Sequence, residues 1–187
     1  MQNLNGKKIA ILSTHGFEQS ELMEPRRQLA EAGATVHVIS PESGEIRGWD
    51  EKNWGNSVPV DCPLDDAKVE DYDALVLPGG QINPDLLRVE PKAVHLIRGF
   101  YHAKKPIAAI CHAPWLLIEA EIIEGREATS YPSIRTDMEN AGAAWKDAKV
   151  VNDEGIITSR NPGDLDAFCD EIASAVAAGI HTDRKVA

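Results

Sequence analysis

The sequence predicts an α/β fold, a mostly parallel sheet with helices packed on both faces. Two observations carry that expectation. Short apolar-rich runs suited to buried strands occur at 8–13, 35–39, 74–78 and 105–110, and several segments between them carry helical spacing. No internal repeat or low-complexity stretch interrupts the pattern, and 187 residues suit one domain with a substantial core. The expected domain spans 1–187, with 181–187 as a flexible tail.

The first strand, 8–13, ends in a turn at Thr14-His15-Gly16. A helix over 18–32 follows, with Leu22, Leu29 and Ala30 at helical spacing and Gly33 closing it. Residues 35–39 form the second strand. The stretch 44–61 breaks the pattern: its glycines, Trp49, Trp54 and Val58-Pro59-Val60 predict a hairpin-like excursion. The third core strand, 74–78, runs into Gly79-Gly80. A helix over 91–102 leads to strand 105–110, where a proline suits the opening position.

Pro114 then begins an apolar stretch reaching Ile123, long enough for a helix. Residues 128–130 are read as a short strand and 134–141 as a short helix. Val150-Val151 and 156–158 read as a hairpin, and 163–179 as a closing helix carrying Leu165, Phe168, Ile172 and Val176. Ligands of such sheets collect at the carboxyl ends of the strands. Segments 14–21, 79–85 and 111–114 all fall there, and their convergence is the main structural argument for an active site.

A formal charge of −11 argues against a phosphate-binding or nucleic-acid surface, since no basic cluster offsets it. No apolar run is long enough to cross a bilayer, and the N-terminal residues lack a signal-peptide core, so a soluble cytoplasmic protein is expected. Three irregularly spaced cysteines do not make a disulfide framework. The six histidines have no metal-site spacing and no Cys-x-x-Cys is present; neither a metal nor another cofactor is expected.

Cys111 is the strongest chemical candidate because it lies between strand 105–110 and the Pro114 segment. A thiol on a strand-to-helix turn is exposed, favoured as thiolate by the helix N-terminus, and close to free backbone N–H groups. The Gly-x-Ser-x-Gly pattern of serine hydrolases on such turns is absent. A lone cysteine is commonly a small buried hydrophobe, which suits Cys169 in the closing helix; Cys62 is structural or incidental. His112 is either the general base for Cys111 or a solvated turn histidine.

Glu18 and Glu21 either complement a helix dipole or supply an inward carboxyl. Buried beside sulfur, such a carboxyl stays protonated and donates to it. Gly79 and Gly80 either end a strand or let the backbone present an oxyanion site. Trp49, Trp54 and Tyr101 fit an interface and a core equally well.

Assembled, these segments resemble the PfpI family, class I glutamine-amidotransferase-like proteins grouped with intracellular PfpI proteases and protein or nucleotide deglycases. The resemblance rests on Phe17-Glu18-Gln19-Ser20-Glu21-Leu22, on Ala74-Leu75-Val76-Leu77-Pro78-Gly79-Gly80 and on Ala109-Ile110-Cys111-His112-Ala113-Pro114-Trp115. It continues through Thr129-Ser130-Tyr131-Pro132, Asp137-Met138-Glu139-Asn140-Ala141-Gly142 and Thr158-Ser159-Arg160-Asn161-Pro162. It implies one flavodoxin-like three-layer sandwich with Cys111 as nucleophile on its elbow and His112 as the paired histidine.

By the same resemblance Glu21 is the carboxyl held against the cysteine, with Glu18 the weaker alternative. Asp85 is the acid that orients the histidine, acting across a subunit interface of a homo-oligomer, a dimer or a hexamer. Gly79, Gly80, Ala113 and Tyr131 are the implied oxyanion and substrate-binding positions. The family reads Cys-His-Gly-Pro where this chain has Ala113, a change that matters if the position needs a positive φ.

The function this implies is a cysteine-dependent stress-response hydrolase for small glyoxal-type carbonyls or early glycation adducts on protein or nucleotide. Its alternatives are an intracellular cysteine peptidase, and a non-catalytic redox sensor or chaperone using an oxidisable Cys111.

Overall fold

The computed structural model describes residues 2–184. Seven strands form the central sheet: β1 (Lys8–Leu12), β2 (Thr35–Ser40), β5 (Cys62–Pro63), β6 (Ala74–Leu77), β7 (Ile107–Ile110), β10 (Val150–Asp153) and β11 (Ile156–Ser159). Their order is β10-β11-β7-β6-β1-β2-β5, parallel except for the β10–β11 hairpin. Helices cover both faces, and the expected mostly parallel sandwich is present. The hairpin expected within 44–61 is also there, as β3 (Glu45–Asp50) paired antiparallel with β4 (Asn53–Pro59). A small parallel pair joins β8 (Glu127–Ala128) to β9 (Ala144–Trp145).

The alternation of side chains along each strand divides the core in two. Ala10, Leu12, Leu75, Leu77, Ile107 and Ala109 pack with helix α3 (Pro91–His102) and helix α4 (Pro114–Glu119). Ile9, Ile11, Val76, Ala108 and Ile110 pack on the other face with α1 (Gln19–Glu31) and α6 (Leu165–Ala178). Strands buried on both faces explain why their sequences run apolar without alternating.

Two short helices add to the α3 and α4 face through Leu87 and Met138: α2 (Ile82–Leu87), which the sequence reading left without an element, and α5 (Arg135–Asn140). The helix expected from Pro114 to Ile123 ends at Glu119. Glu121 takes a left-handed φ of 59°, which turns the chain so that Ile122 and Ile123 enter the core separately.

The tail expected to be flexible from 181 is packed as far as Arg184. His181 donates its backbone N–H to Lys104, and Arg184 is buried under the β10–β11 turn. Residues 185–187 lie outside the described residues. Tyr101, considered for an interface, is 7% exposed and sits in the core beneath the Arg126 and Arg184 guanidinium groups.

Candidate active site

The loops after β1, β6 and β7 meet at the carboxyl end of the sheet, and Asn83 ties two of them together. Wholly buried, its side-chain amide donates to the Pro78 carbonyl at 2.8 Å, and its Oδ1 accepts from the Thr14 backbone N–H at 2.7 Å and the Ser13 hydroxyl at 3.2 Å. The β3–β4 hairpin folds over the same loops, with Trp49 donating its backbone N–H to the Phe17 carbonyl at 2.7 Å. Gly79 is a packing requirement, because a Cβ there would lie 2.7 Å from the Cys111 Cβ and 2.5 Å from Glu21 Oε2.

Cys111 occupies the left-handed region with φ 65°, a conformation that costs a non-glycine residue about 1–3 kcal/mol. Both of its backbone groups are pinned: its N–H donates to the Ser159 carbonyl at 3.0 Å, and its carbonyl accepts from the Tyr131 N–H at 2.8 Å. This is the sharp strand-to-helix turn the sequence suggests, but Cys111 as a whole is only 6% exposed. Helix α4 spans only six residues, too short for the dipole to dominate. Burial and the Glu21 carboxylate push the thiol up, opposed by the backbone N–H groups of Gly80 and His112 that address the sulfur. Burial thus works against the thiolate that a helix terminus was expected to favour, and the Glu21 contribution to that rise holds only while Glu21 is ionised.

Glu21 comes from the first turn of α1 and is wholly buried. Its Oε2 accepts from the Gly79 N–H at 2.9 Å, while Oε1 has no partner in normal hydrogen-bond geometry among the described residues. Burial, with help from the Glu18 charge, raises its pKa from 4.5 to about 8, against the lowering effect of its contacts with Cys111 and Gly79. A protonated Glu21 both removes the charge that disfavours thiolate and becomes a donor toward sulfur, so the two groups titrate as a pair. Glu18 lines the cavity farther out; burial raises its pKa too.

His112 is buried next to the thiol, with Nδ1 3.1 Å from the Cys111 sulfur and Nε2 3.1 Å from the Ser133 hydroxyl. Its ring stacks on Tyr131 at 4.8 Å and 23° and meets Trp115 edge-on at 5.3 Å. Burial lowers its pKa, leaving a neutral imidazole at pH 7. The cavity above Cys111 measures about 410 Å³ and is also lined by Gly80, Trp49, Glu51, Gln81, Ile82 and Pro162. The described residues lining it include no lysine or arginine.

Cys111, His112, Glu21, Glu18, Gly80 and Tyr131 thus converge on one cavity, whereas three other candidate positions stand differently. Gly79 packs beneath it and has its N–H engaged by Glu21. Ala113 has an ordinary helical φ of −59°, donates its N–H to the Ile110 carbonyl and packs in the core, so it needs no glycine-like conformation. Asp85 pairs with Arg88 at 2.7 Å on the exposed side of α2 and does not reach His112 within the chain. Sequence reasoning missed Ser133, Asn83 as a loop tie, and Trp49 as cavity wall. Only Asn83 left a signal, by lying within the suspected segment 79–85.

The family model described as the DJ-1/PfpI family matches residues 7–175. The chain is 46% identical over 165 residues to General stress protein 18 of Bacillus subtilis, covering 87% of this chain and 94% of that one. It is 43% identical over 164 residues to Deglycase TK1284 of Thermococcus kodakarensis, covering 88% and 96%. A two-domain protein from Anabaena variabilis, containing DJ-1/ThiJ/PfpI-like and ferritin-like domains, superposes with a TM-score of 0.86 at 35% identity. That match covers 96% of this chain and 52% of the larger one. The family match spans nearly the whole chain and the fold superposes on that of a family-like structure, and the chain belongs to the DJ-1/PfpI family.

Proposed function

We propose that this protein is a Cys111-dependent hydrolase acting on glyoxal-type carbonyls or their early adducts, as a deglycase or glyoxalase-like enzyme. The observation that carries the reading is the sulfur's surroundings: two backbone N–H groups, an imidazole nitrogen at 3.1 Å and a buried carboxyl, all facing one cavity. The relative named Deglycase TK1284 supports it.

In this reading the Cys111 proton moves to His112 Nδ1 as sulfur adds to the aldehyde carbon of methylglyoxal. The Gly80 and His112 backbone N–H groups receive the developing oxyanion. Glu21 shifts a proton between the two carbon atoms, converting the adduct to a lactoyl thioester, and water hydrolyses it to lactate and free thiol. In a deglycation the sulfur displaces the amine or thiol from that carbon, the departing group takes the Cys111 proton from His112, and the resulting hemithioacetal goes on to the lactoyl thioester as before. A cavity walled by Glu18 and Glu51 without a facing cation suits neutral carbonyl adducts better than phosphate-bearing ones.

The test is lactate release from methylglyoxal, wild type against Cys111→Ala. Release lost in the variant is the expected result, and equal rates overturn the reading. Ile82, Leu86 and Val89 leave apolar side chains exposed on and just beyond α2, beside Asp85. A second copy burying that stripe brings Asp85 toward a neighbouring site, and light scattering that finds only monomer counts against it. A cytoplasmic stress-response role goes with this chemistry, supported by the relative named General stress protein 18. Among the described residues no helix is long and apolar enough to cross a membrane.

A further inference from the structure

We propose that Ser133 is a positioning residue for His112: its hydroxyl accepts from Nε2–H and holds the imidazole in the tautomer whose Nδ1 accepts from the Cys111 thiol. The inference rests on Cys111 as the reactive thiol, and on the geometry of one turn. Ser133 lies in the short 3-10 turn Pro132–Ile134, with its Oγ 3.1 Å from Nε2. That turn is fastened to the elbow itself, because Tyr131 donates its N–H to the Cys111 carbonyl at 2.8 Å and Ile134 donates to the Tyr131 carbonyl at 3.1 Å. The serine therefore keeps its place relative to the nucleophile through the same hydrogen bond that helps hold Cys111 in its left-handed conformation.

The remaining surroundings of the imidazole are rings, the face of Tyr131 and the edge of Trp115, and these offer Nε2–H no comparable acceptor. Ser133 is exposed, so its own proton can go to water while a lone pair stays available to His112. The buried thiol needs an acceptor for its S–H, and Nδ1 at 3.1 Å is placed to be one. Both requirements select the Nε2–H tautomer.

The proton balance is simple. When S–H passes its proton to Nδ1, thiolate and imidazolium form, and Nε2–H continues to donate to the same hydroxyl. No group has to rotate. A neutral acceptor orients the ring without the charge by which a carboxylate stabilises imidazolium, so the proton is free to return in the next step. The titratable groups facing this unit are Cys111 and Glu21 on one side; Arg88 and Asp137 lie beyond Trp115, stacked on and accepting from its indole. Ser133 holds the ring from within the chain, whichever acid a second copy brings to it.

The experiment follows Cys111 alkylation by iodoacetamide, resolved from Cys62 and Cys169 by peptide mass spectrometry, over roughly pH 5–9 where an imidazole titrates. Nitrogen NMR of His112 reads the tautomer directly. Ser133→Ala is expected to slow alkylation about fivefold near neutral pH, the factor of a typical side-chain hydrogen bond, and to mix the His112 tautomers. Ser133→Thr, which keeps the hydroxyl, is expected to restore both. An unchanged rate profile and tautomer in Ser133→Ala, or Ser133→Thr behaving like alanine, overturns the proposal. Iodoacetamide needs no substrate turnover, so a wild type that alkylates as expected yet releases no lactate counts against the proposed function alone.

Discussion

At the carboxyl end of the sheet Glu21 is wholly buried, and at the amino end Arg184 is 1% exposed. Among the described residues each leaves one atom without a hydrogen-bond partner, Oε1 of the glutamate and Nη2 of the arginine. The two ends manage these charges differently. Arg184 donates to the Glu154 and Lys105 carbonyls at 2.8 and 2.9 Å, reaches the Tyr101 carbonyl at 3.5 Å, and lies over the Tyr101 ring. Burial lowers its pKa to about 10, with Arg126 contributing, and it still stays cationic at pH 7.

Glu21 has one anchoring N–H, and its pKa of about 8 lets it discard its charge under ordinary conditions. A buried charge tied to backbone acceptors fastens the chain, whereas one that can be discarded beside a nucleophile manages protons. The difference in anchoring, more than burial, separates a structural site from a chemical one.

The largest expected effect of breaking this contrast is on turnover. Glu21→Gln keeps the size of the side chain and an acceptor for Gly79, but it has no exchangeable acid proton to move. Lactate release should fall by about 10²-fold or more, in the range of a positioned acid–base group. Steady-state kinetics that leave kcat unchanged would place Glu21 with Arg184 among structural charges.

Arg184→Met should do the opposite. It keeps an apolar stem while removing the carbonyl anchors, and equilibrium denaturation should show a loss of about 2–4 kcal/mol with little change in the kcat of the folded protein. Activity lost with stability retained would mean that the amino end of the sheet communicates with the site.

A third expectation concerns pH. Because folding raises the Glu21 pKa from 4.5 to about 8, the folded state binds more protons than the unfolded one across that window. Stability from this group is thus intact below pH 4.5 and falls as pH rises toward 8. Melting temperatures of wild type and Glu21→Gln should converge at low pH and separate at high pH, with the glutamine variant the more stable. Parallel curves would contradict the raised pKa.

The sequence made the sheet legible because strands buried on both faces are apolar throughout, and it exposed the elbow because Cys111 stands between such a strand and Pro114. The hairpin followed from local turn chemistry around Trp49 and Trp54. What stayed hidden depends on distant segments meeting. Ser133 is 21 residues from His112, and its hydroxyl acquires a partner only when the Tyr131 turn closes on the elbow. Asn83 has no assigned role in segment 79–85 until the ends of β1 and β6 enclose it. The burial of the thiol was equally invisible, because it arises from the loops of β1 and β6 and not from residues beside it.

The smallest expected effect is at Ala113, where the chain departs from its family's Cys-His-Gly-Pro pattern. If the elbow's left-handed residue were position 113, alanine would strain the turn and glycine would relieve it. The positive φ belongs to Cys111, two residues earlier, and the Ala113 methyl packs among Leu116, Leu117 and their neighbours on the α3 and α4 face. Ala113→Gly should therefore destabilise the fold by about 0.5–1 kcal/mol, through a freer unfolded chain and a lost buried methyl. Cys111 alkylation and lactate release should not change. A gain in activity would show that the methyl crowds the oxyanion site through the adjoining His112 N–H, and would move Ala113 from the structural side of the comparison to the chemical one.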